Sequence, residues 1–169
     1  MRERQVFKRM ISGEERQKAY ALERMKDVAI LEFPTLEHGR LRILAFNVHA
    51  EVVQRDGILT VKSKGATEII SEDAQDYMKS WLTSQGEEVS SLPFAGGAIG
   101  YFGYSYSFQF EGLEIPADDP LGMNDLHLLF HSDYIVFSGK DEEECQQIHI
   151  QYGSSISPEE AEEQMASVL

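Results

Sequence analysis

The sequence predicts an α+β fold in which a mainly antiparallel β-sheet is flanked by helices. Short segments rich in apolar and β-branched residues follow one another along the chain with gaps of hairpin length. This arrangement favours antiparallel pairing over repeated βαβ units. Segments with helical spacing and helix-start signals occur near the beginning, the middle and the end of the chain. These patterns amount to about seven strands and about three helices.

The N-terminal part contains one predicted helical region and two predicted strands. Residues Glu3–Met25 have broadly helical spacing of apolar residues, with Ser12–Glu15 as a break followed by a new helix start. Two apolar segments, Val28–Phe33 and Leu41–Val48, are typical of strands.

A hairpin and a second helix are predicted next. Asp56-Gly57 lies between two alternating segments, and this dipeptide favours the positive φ values of a type I′ turn. The helix that follows has Ser71 as its predicted N-cap and Gly86 near its end.

The C-terminal part is predicted to form two strands and a helix. The strands are Leu126–Ser138 and Cys145–Tyr152. Ser157 is the predicted N-cap of the last helix, with Pro158 at its first position and Glu160 three residues after the cap.

Composition limits the classes of function. The 169 residues fit one domain, 1–169, or a piece of a larger one, and 42% of them are hydrophobic. The formal net charge of −14 repels nucleic acids and anionic membranes, so we expect neither as a partner. The single cysteine, Cys145, precludes an intrachain disulfide and is expected to be a structural thiol. With no signal peptide and no apolar segment of spanning length, we expect a soluble, cytoplasmic protein.

The segment "PFAGGAIGYFGY", residues 93–104, combines four glycines with four aromatic residues. It lacks the Gly-Lys-Ser/Thr of a phosphate-binding loop, and adjacent Gly96 and Gly97 do not fit G-x-G-x-x-G. Gly96 and Gly100 form G-x-x-x-G, but the apolar segment is too short for a membrane helix. A strand therefore remains, in which the glycines permit either close backbone approach or packing of the aromatic rings.

No self-contained catalytic or metal-binding set is visible in the sequence. His127 and His131 are four residues apart, which places them on one face of a strand, but no further ligands have suitable spacing. Glu32 follows four apolar residues in a predicted strand. It either faces water or is placed for a ligand, and a carboxylate suits an ammonium group.

The glycine-rich segment supplies a resemblance. Residues 92–104 resemble the N-terminal region of the large subunit of anthranilate synthase and of its close relative aminodeoxychorismate synthase. The family pattern is roughly Pro-Phe-x-Gly-Gly-x-x-Gly-Tyr-x-x-Tyr, and the resemblance implies that the segment lies in the sheet and binds no phosphate. The fixed positions are met by Pro93, Phe94, Gly96, Gly97, Gly100, Tyr101 and Tyr104.

Two further segments resemble the same family. "AILEF" is similar to its Leu-Leu-Glu-Ser strand, and "GRLRILAF" is similar to its Gly-Arg-Tyr-Ser-Phe-Ile-Gly segment. The resemblance implies that Leu31, Glu32 and Arg40 contribute to a site for tryptophan as a feedback inhibitor. Phe33 and Arg42 stand where the family has serines, which puts ordinary tryptophan inhibition in question.

The resemblance implies the N-terminal part of the chorismate-utilising synthase fold. The family's chorismate- and Mg²⁺-binding residues lie in a C-terminal domain beyond this chain, so no residue here is expected to be catalytic or to bind a metal. With a glutamine amidotransferase subunit, the whole enzyme would convert chorismate and glutamine to anthranilate, pyruvate and glutamate. Two alternatives remain open: component I of aminodeoxychorismate synthase in folate biosynthesis, and a stand-alone module that binds an amino acid or a protein.

Overall fold

The structure is a computed structural model of the 169-residue chain. It describes residues 4–20, 28–36, 39–84, 92–94, 96–114, 121–139, 145–152 and 156–167. Among these residues, no helix has the length and apolar character needed to cross a membrane.

Within the described ranges, the chain forms eight strands and four α-helices, with a 3₁₀ turn at Tyr104–Ser107. The strands are β1 Arg4–Ile11, β2 Ala29–Thr35, β3 Gly39–Arg55, β4 Ile58–Ser63, β5 Ala66–Ile70, β6 Ala98–Phe102, β7 Leu126–Ser138 and β8 Cys145–Tyr152. The helices are α1 Gly13–Tyr20, α2 Ala74–Ser84, α3 Phe108–Glu111 and α4 Pro158–Ser167.

Hydrogen bonding joins the strands in the order β1-β8-β7-β3-β4-β5, with β2 added to β3 and β6 added to β7. The described strand pairs, including β1–β8, β2–β3 and β6–β7, are antiparallel. The predicted fold class, a mainly antiparallel sheet with flanking helices, is therefore confirmed.

The chain divides into two compact units, and β3 and β7 contribute residues to each. Unit 1 consists of Met1–Asn47, Glu87–Gly96 and Ser132–Leu169. Unit 2 consists of Val48–Gly86 and Gly97–His131.

The core of unit 1 lies along the first half of β3. Each residue from Leu41 to Ala45 is at most 5% exposed, so this part of the strand is buried on both faces. One cluster of buried side chains contains Ile11, Leu44, Ile135, Phe137 and Cys145. Cys145 is a free thiol that packs as an apolar side chain, in agreement with its predicted structural role.

The prediction of a helix over Glu3–Met25 is wrong for its first part, because residues 4–11 form β1. All eight residues of β1 pair with β8. Ile11 is buried whereas Met10 is 63% exposed, which is the two-residue alternation of a strand. The helix start predicted at Ser12–Glu15 is confirmed: the backbone N–H of Ser12 donates to Glu15 Oε2, and that of Glu15 donates to Ser12 Oγ. Residues 21–27 lie outside the described ranges.

In unit 2, the predicted Asp56-Gly57 hairpin is confirmed. The φ angles of these residues are 51° and 74°, as a type I′ turn requires, and they join β3 to β4. Lys64 and Gly65, with φ angles of 52° and 78°, make a similar turn between β4 and β5 that was not predicted.

Helix α2 packs on the core of unit 2 through its apolar side. The ring of Trp81 meets that of Phe130 edge-on at a centroid distance of 4.0 Å. The helix begins at Ala74 and not after Ser71, so the predicted N-cap is wrong. Asp73 is the capping residue, since its Oδ1 accepts from the backbone N–H of Gln75 at 2.8 Å. The predicted end of the helix near Gly86 lies outside the described residues.

Helix α4 begins as the sequence predicted. The backbone N–H of Ser157 donates to Glu160 Oε2 at 2.8 Å, and the N–H of Glu160 donates to Ser157 Oγ at 3.2 Å. Two N-terminal donors of this helix are thereby satisfied.

Candidate functional site

Two of the three residues assigned to an inhibitor site lie together in unit 1. Arg40 Nε is 3.3 Å from Glu32 Oε1, and the side chains are 62% and 33% exposed respectively. Glu32 is on β2 and Arg40 is near the start of β3, where their strands pair. Glu32 and Arg40 therefore form an ion pair that solvent and small molecules can reach.

Leu31, the third predicted residue, does not join this pair. Successive side chains of a strand point to opposite faces, so Leu31 and Phe33 share the face of β2 opposite to Glu32. Ile30, which is 38% exposed, lies on the same face as Glu32. Alternation along β2 is sufficient to establish this division.

The backbone around the ion pair is held by hydrogen bonds. The backbone N–H of Arg40 donates to the carbonyl of Gly139 at 3.3 Å, next to a bridge between Gly39 and Gly139. Thr35 Oγ1 donates to the carbonyl of Gly39 at 3.0 Å and thereby links the end of β2 to the start of β3. These bonds fix the positions from which the charged side chains extend.

The glycine-rich motif contributes β6 to the sheet, as predicted. Gly100 pairs with Leu128 on β7, and a β-carbon at position 100 would overlap the backbone carbonyl oxygen of His127. Gly103, just beyond β6, donates its N–H to the carbonyl of Asp125 at 2.7 Å. The close approach of the β6 and β7 backbones therefore explains why position 100 is a glycine.

The other residues of the motif have different roles. Gly96 and Gly97 have φ angles of 107° and 148°, which L-residues rarely adopt. In unit 1, the ring of Phe94 meets that of Tyr134 edge-on at 5.2 Å. In unit 2, Tyr104 is 85% exposed and contacts Phe108.

A buried polar cluster that the sequence analysis missed surrounds Asp133 in unit 1. Asp133 is 3% exposed and accepts from Asn47 Nδ2 at 2.8 Å, Ser132 Oγ at 2.8 Å and Gln151 Nε2 at 3.0 Å. The fully buried His149 places Nε2 3.6 Å from Asp133 Oδ1. Burial by itself would raise the pKa of Asp133, but these four partners outweigh burial and hold the pKa below its ordinary value.

Gln147 links β8 to its neighbours in unit 1. This fully buried side chain accepts from Arg9 Nε at 2.6 Å and donates to the carbonyl of Met165 at 2.8 Å. Met165 lies in the last turn of α4, whose carbonyls have no partner within the helix. Gln147 thus fixes the end of α4 on the sheet.

The two histidines that the sequence placed on one strand face have different surroundings in unit 2. His127 Nε2 is 2.8 Å from Glu51 Oε1, and its ring lies edge-on to Tyr101. His131 is 2% exposed, and burial lowers its pKa. The described residues contain no group of three or more His, Cys, Asp or Glu side chains placed to hold a metal ion.

Comparisons with known proteins agree on one class. No protein-family model matches the chain. The chain is 32% identical over 122 residues to anthranilate synthase component 1 of Lactococcus lactis subsp. lactis (strain IL1403), covering 69% of this chain and 26% of that protein. It is 30% identical over 106 residues to aminodeoxychorismate synthase component 1 of Bacillus subtilis (strain 168). This match covers 62% of this chain and 23% of that protein.

A solved structure extends the similarity to the fold. The crystal structure of anthranilate synthase component I from Streptococcus pneumoniae TIGR4 matches with a TM-score of 0.57 and 29% identity, covering 89% of this chain and 32% of that one. The chain is therefore a relative of component I synthase subunits, and the resemblance predicted from its motifs is confirmed. Anthranilate synthase component I is the subunit matched here in both sequence and structure. The chain spans about a quarter of the length of the curated relatives it matches.

Proposed function

We propose that this chain is the N-terminal domain of component I of an anthranilate synthase. In this proposal, a longer subunit carries the chorismate- and Mg²⁺-binding residues, and a glutamine amidotransferase subunit supplies ammonia. The complex converts chorismate and glutamine to anthranilate, pyruvate and glutamate in the cytoplasm, as a step of tryptophan biosynthesis. The chain by itself has no synthase activity.

The observation that carries the proposal is that the sequence comparison and the structure comparison both match component I of anthranilate synthase. Sequence identity and fold similarity both lead to anthranilate synthase component I, and the chain corresponds to a minor share of each relative. The position of Gly100 against β7 supports the motif on which the resemblance rests, since a side chain there has no space.

A regulatory site for tryptophan is the second part of the proposal. Leu31, Glu32 and Arg40 are its proposed residues. The accessible pair Glu32–Arg40 supports the proposal, whereas Leu31 lies on the other face of β2. Phe33 lies on the opposite face of β2 from Glu32, so its ring does not occupy the place of the carboxylate.

Aminodeoxychorismate synthase is the second candidate, because one curated relative of similar identity has that name. The identity of the reaction product distinguishes an anthranilate synthase from an aminodeoxychorismate synthase. The longer native protein, captured from its source with an antibody against this chain, is incubated with chorismate, ammonia and Mg²⁺. The proposal expects anthranilate by mass spectrometry. Aminodeoxychorismate would support the second candidate, and a native protein of only 169 residues without turnover would support a stand-alone module.

A further inference from the structure

We propose that the buried carboxylate of Asp133 is a latch that holds Asn47 in a left-handed conformation. The latch thereby fixes the point at which β3 changes its neighbouring strand. When it opens, residues 46–49 of β3 become extended. Such a latch operates whichever reaction a longer subunit catalyses.

Strand β3 has different neighbours along its length. Its first part, Gly39–Ala45, pairs with β2, and its last part, Ala50–Arg55, pairs with β4. Residues 46–49 lie between these two registers, and Asn47 among them has a φ angle of 57°. Because extended strands require negative φ angles, Asn47 interrupts the regular geometry of β3, as the extra residue of a β-bulge does.

The burial pattern of β3 changes at the same place. The strand is buried on both faces from Leu41 to Ala45. After Asn47 the burial alternates: Ala50, Val52 and Gln54 are buried, whereas the residues between them are half-buried. A shift of the interruption by one residue would turn the side chains of one part to the opposite face. The position of the left-handed residue therefore determines which side chains enter the core.

Side chains at the start of the unit 1 part of β7 hold this residue. Asn47 Nδ2 donates to Asp133 Oδ2 at 2.8 Å. The hydroxyl of Ser132 lies 2.8 Å from the same carboxylate oxygen and 3.1 Å from the carbonyl of Asn47, and it can donate to either. Asparagine tolerates a positive φ angle better than most residues but is not indifferent to it as glycine is. Contacts to both the side chain and the backbone of Asn47 therefore support its conformation.

The carboxylate is anchored separately through its other oxygen. Asp133 Oδ1 accepts from Gln151 Nε2 at 3.0 Å and lies 3.6 Å from His149 Nε2. Asp133 and Gln151 are directly paired on β7 and β8, and both are at most 4% exposed. Asn47 is exposed, so water can replace the carboxylate as the acceptor of its amide. The latch therefore opens at Asn47 while the contacts of Oδ1 stay in place.

Two NMR measurements on the 169-residue chain follow the latch. One is amide hydrogen exchange at residues 46–49, and the other is the NOE between the amide and α protons of residue 47, which is strong in the left-handed conformation. Asn47→Ala removes both the amide donor and the tolerance of positive φ, whereas Asn47→Gly removes the donor alone. Exchange should accelerate about ten-fold or more in Asn47→Ala, the scale of a hydrogen bond to a charged group, and much less in Asn47→Gly.

Rescue by glycine separates a latch from a general stabilising role of the cluster. In Asp133→Asn the charged acceptor is absent, so exchange at residues 46–49 should accelerate and the NOE of Asn47 should weaken. Adding Asn47→Gly to this variant should slow the exchange again, because glycine adopts the left-handed conformation without support. Gln151→Leu is the matched control, because it removes a donor to Asp133 Oδ1 and should leave the NOE of Asn47 unchanged.

Two results would overturn the latch. Equal exchange at residues 46–49 in Asn47→Ala and Asn47→Gly would show that the conformation of residue 47 does not matter, and this comparison is decisive even where Asp133→Asn fails to fold. Faster exchange in the double variant than in Asp133→Asn would show that the carboxylate acts on stability and not on the conformation of Asn47.

Discussion

Gly100 lies so close to His127 that the two backbones leave no space for a side chain at position 100. A β-carbon there would overlap the carbonyl oxygen of His127 and would come within 2.8 Å of the Cα atom of Leu128. Both of these atoms belong to the backbone of β7, which pairs with β6. If these neighbouring atoms belonged to a flexible side chain, they could move away from the methyl group of an alanine at position 100. The paired backbone of β7 cannot move in this way without losing hydrogen bonds.

Gly100→Ala is therefore expected to destabilise unit 2 by about 2 kcal/mol or more, the cost of overpacking with a backbone shift. The free energy of unfolding is measured in urea through the fluorescence of Trp81, the single tryptophan of the chain. Gly97→Ala is the control, because Gly97 has a φ angle of 148° but nothing within 4 Å of the added carbon. Its expected cost is about 1 kcal/mol. Equal stability of the Gly100→Ala variant and the unaltered chain would refute the steric account.

The low pKa of Asp133 predicts a loss of stability in acid. Because folding depresses this pKa, the contribution of Asp133 is fully present above the pKa of the unfolded chain, about 3.9. It disappears as the pH falls through the folded pKa, where the carboxylate is protonated. The free energy of unfolding should thus decrease as the pH is lowered from about 5.

Asp133→Asn should make this pH dependence shallower and should cost about 2–4 kcal/mol at neutral pH, because an amide cannot accept all of the buried donors. Asp56→Asn provides the comparison, since the side chain of Asp56 is 91% exposed. A profile for Asp133→Asn that is as steep as that of Asp56→Asn would mean that Asp133 does not control the acid response.

Gln147 is expected to hold α4 on the sheet. In Gln147→Leu, the carbonyl of Met165 loses its donor and Arg9 Nε loses its acceptor, at a cost of about 1–3 kcal/mol. Hydrogen exchange of the α4 amides should accelerate accordingly. Gln146→Leu is the control on the opposite face of β8 and should leave the exchange of α4 unchanged. Unchanged exchange in both variants would exclude this role of Gln147.

The start of α2 offers a test of the corrected N-cap. Asp73→Ala should cost about 1 kcal/mol, because the N–H of Gln75 loses its acceptor. Ser71→Ala, two residues earlier, should have no measurable effect. Urea unfolding monitored at Trp81, which lies in this helix, compares the two variants. A greater cost for Ser71→Ala would restore the capping residue inferred from the sequence.

Local signals in the sequence predicted the features that depend on neighbouring residues. The Asp56-Gly57 turn and the cap formed by Ser157 and Glu160 are determined within four residues. The sequence predicted a helix for the segment that forms β1 because its apolar residues, at positions 6, 7, 10 and 11, have helical spacing and do not alternate. Its strand partner, β8, lies more than a hundred residues further along the chain and gives no local signal.

The candidate site was also predictable only in part, because contacts between strands that are distant in the sequence give no local signal. Resemblance supplied Glu32 and Arg40, but their contact depends on the register of β2 and β3. The cluster around Asp133 was missed because Asn47 and Gln151 reach it from other strands. An acidic residue within the apolar segment Leu126–Ser138 was the available signal, since a buried carboxylate requires partners.

The most direct test of the central claim is the formation of anthranilate from chorismate, ammonia and Mg²⁺, followed by fluorescence. It compares the 169-residue chain with the longer subunit that, under the proposal, contains it. The proposal predicts steady anthranilate formation by the longer protein and none by the chain alone. Turnover by the isolated chain, or a longer native protein that makes no anthranilate, would contradict the assignment of this chain to the N-terminal part of anthranilate synthase component I.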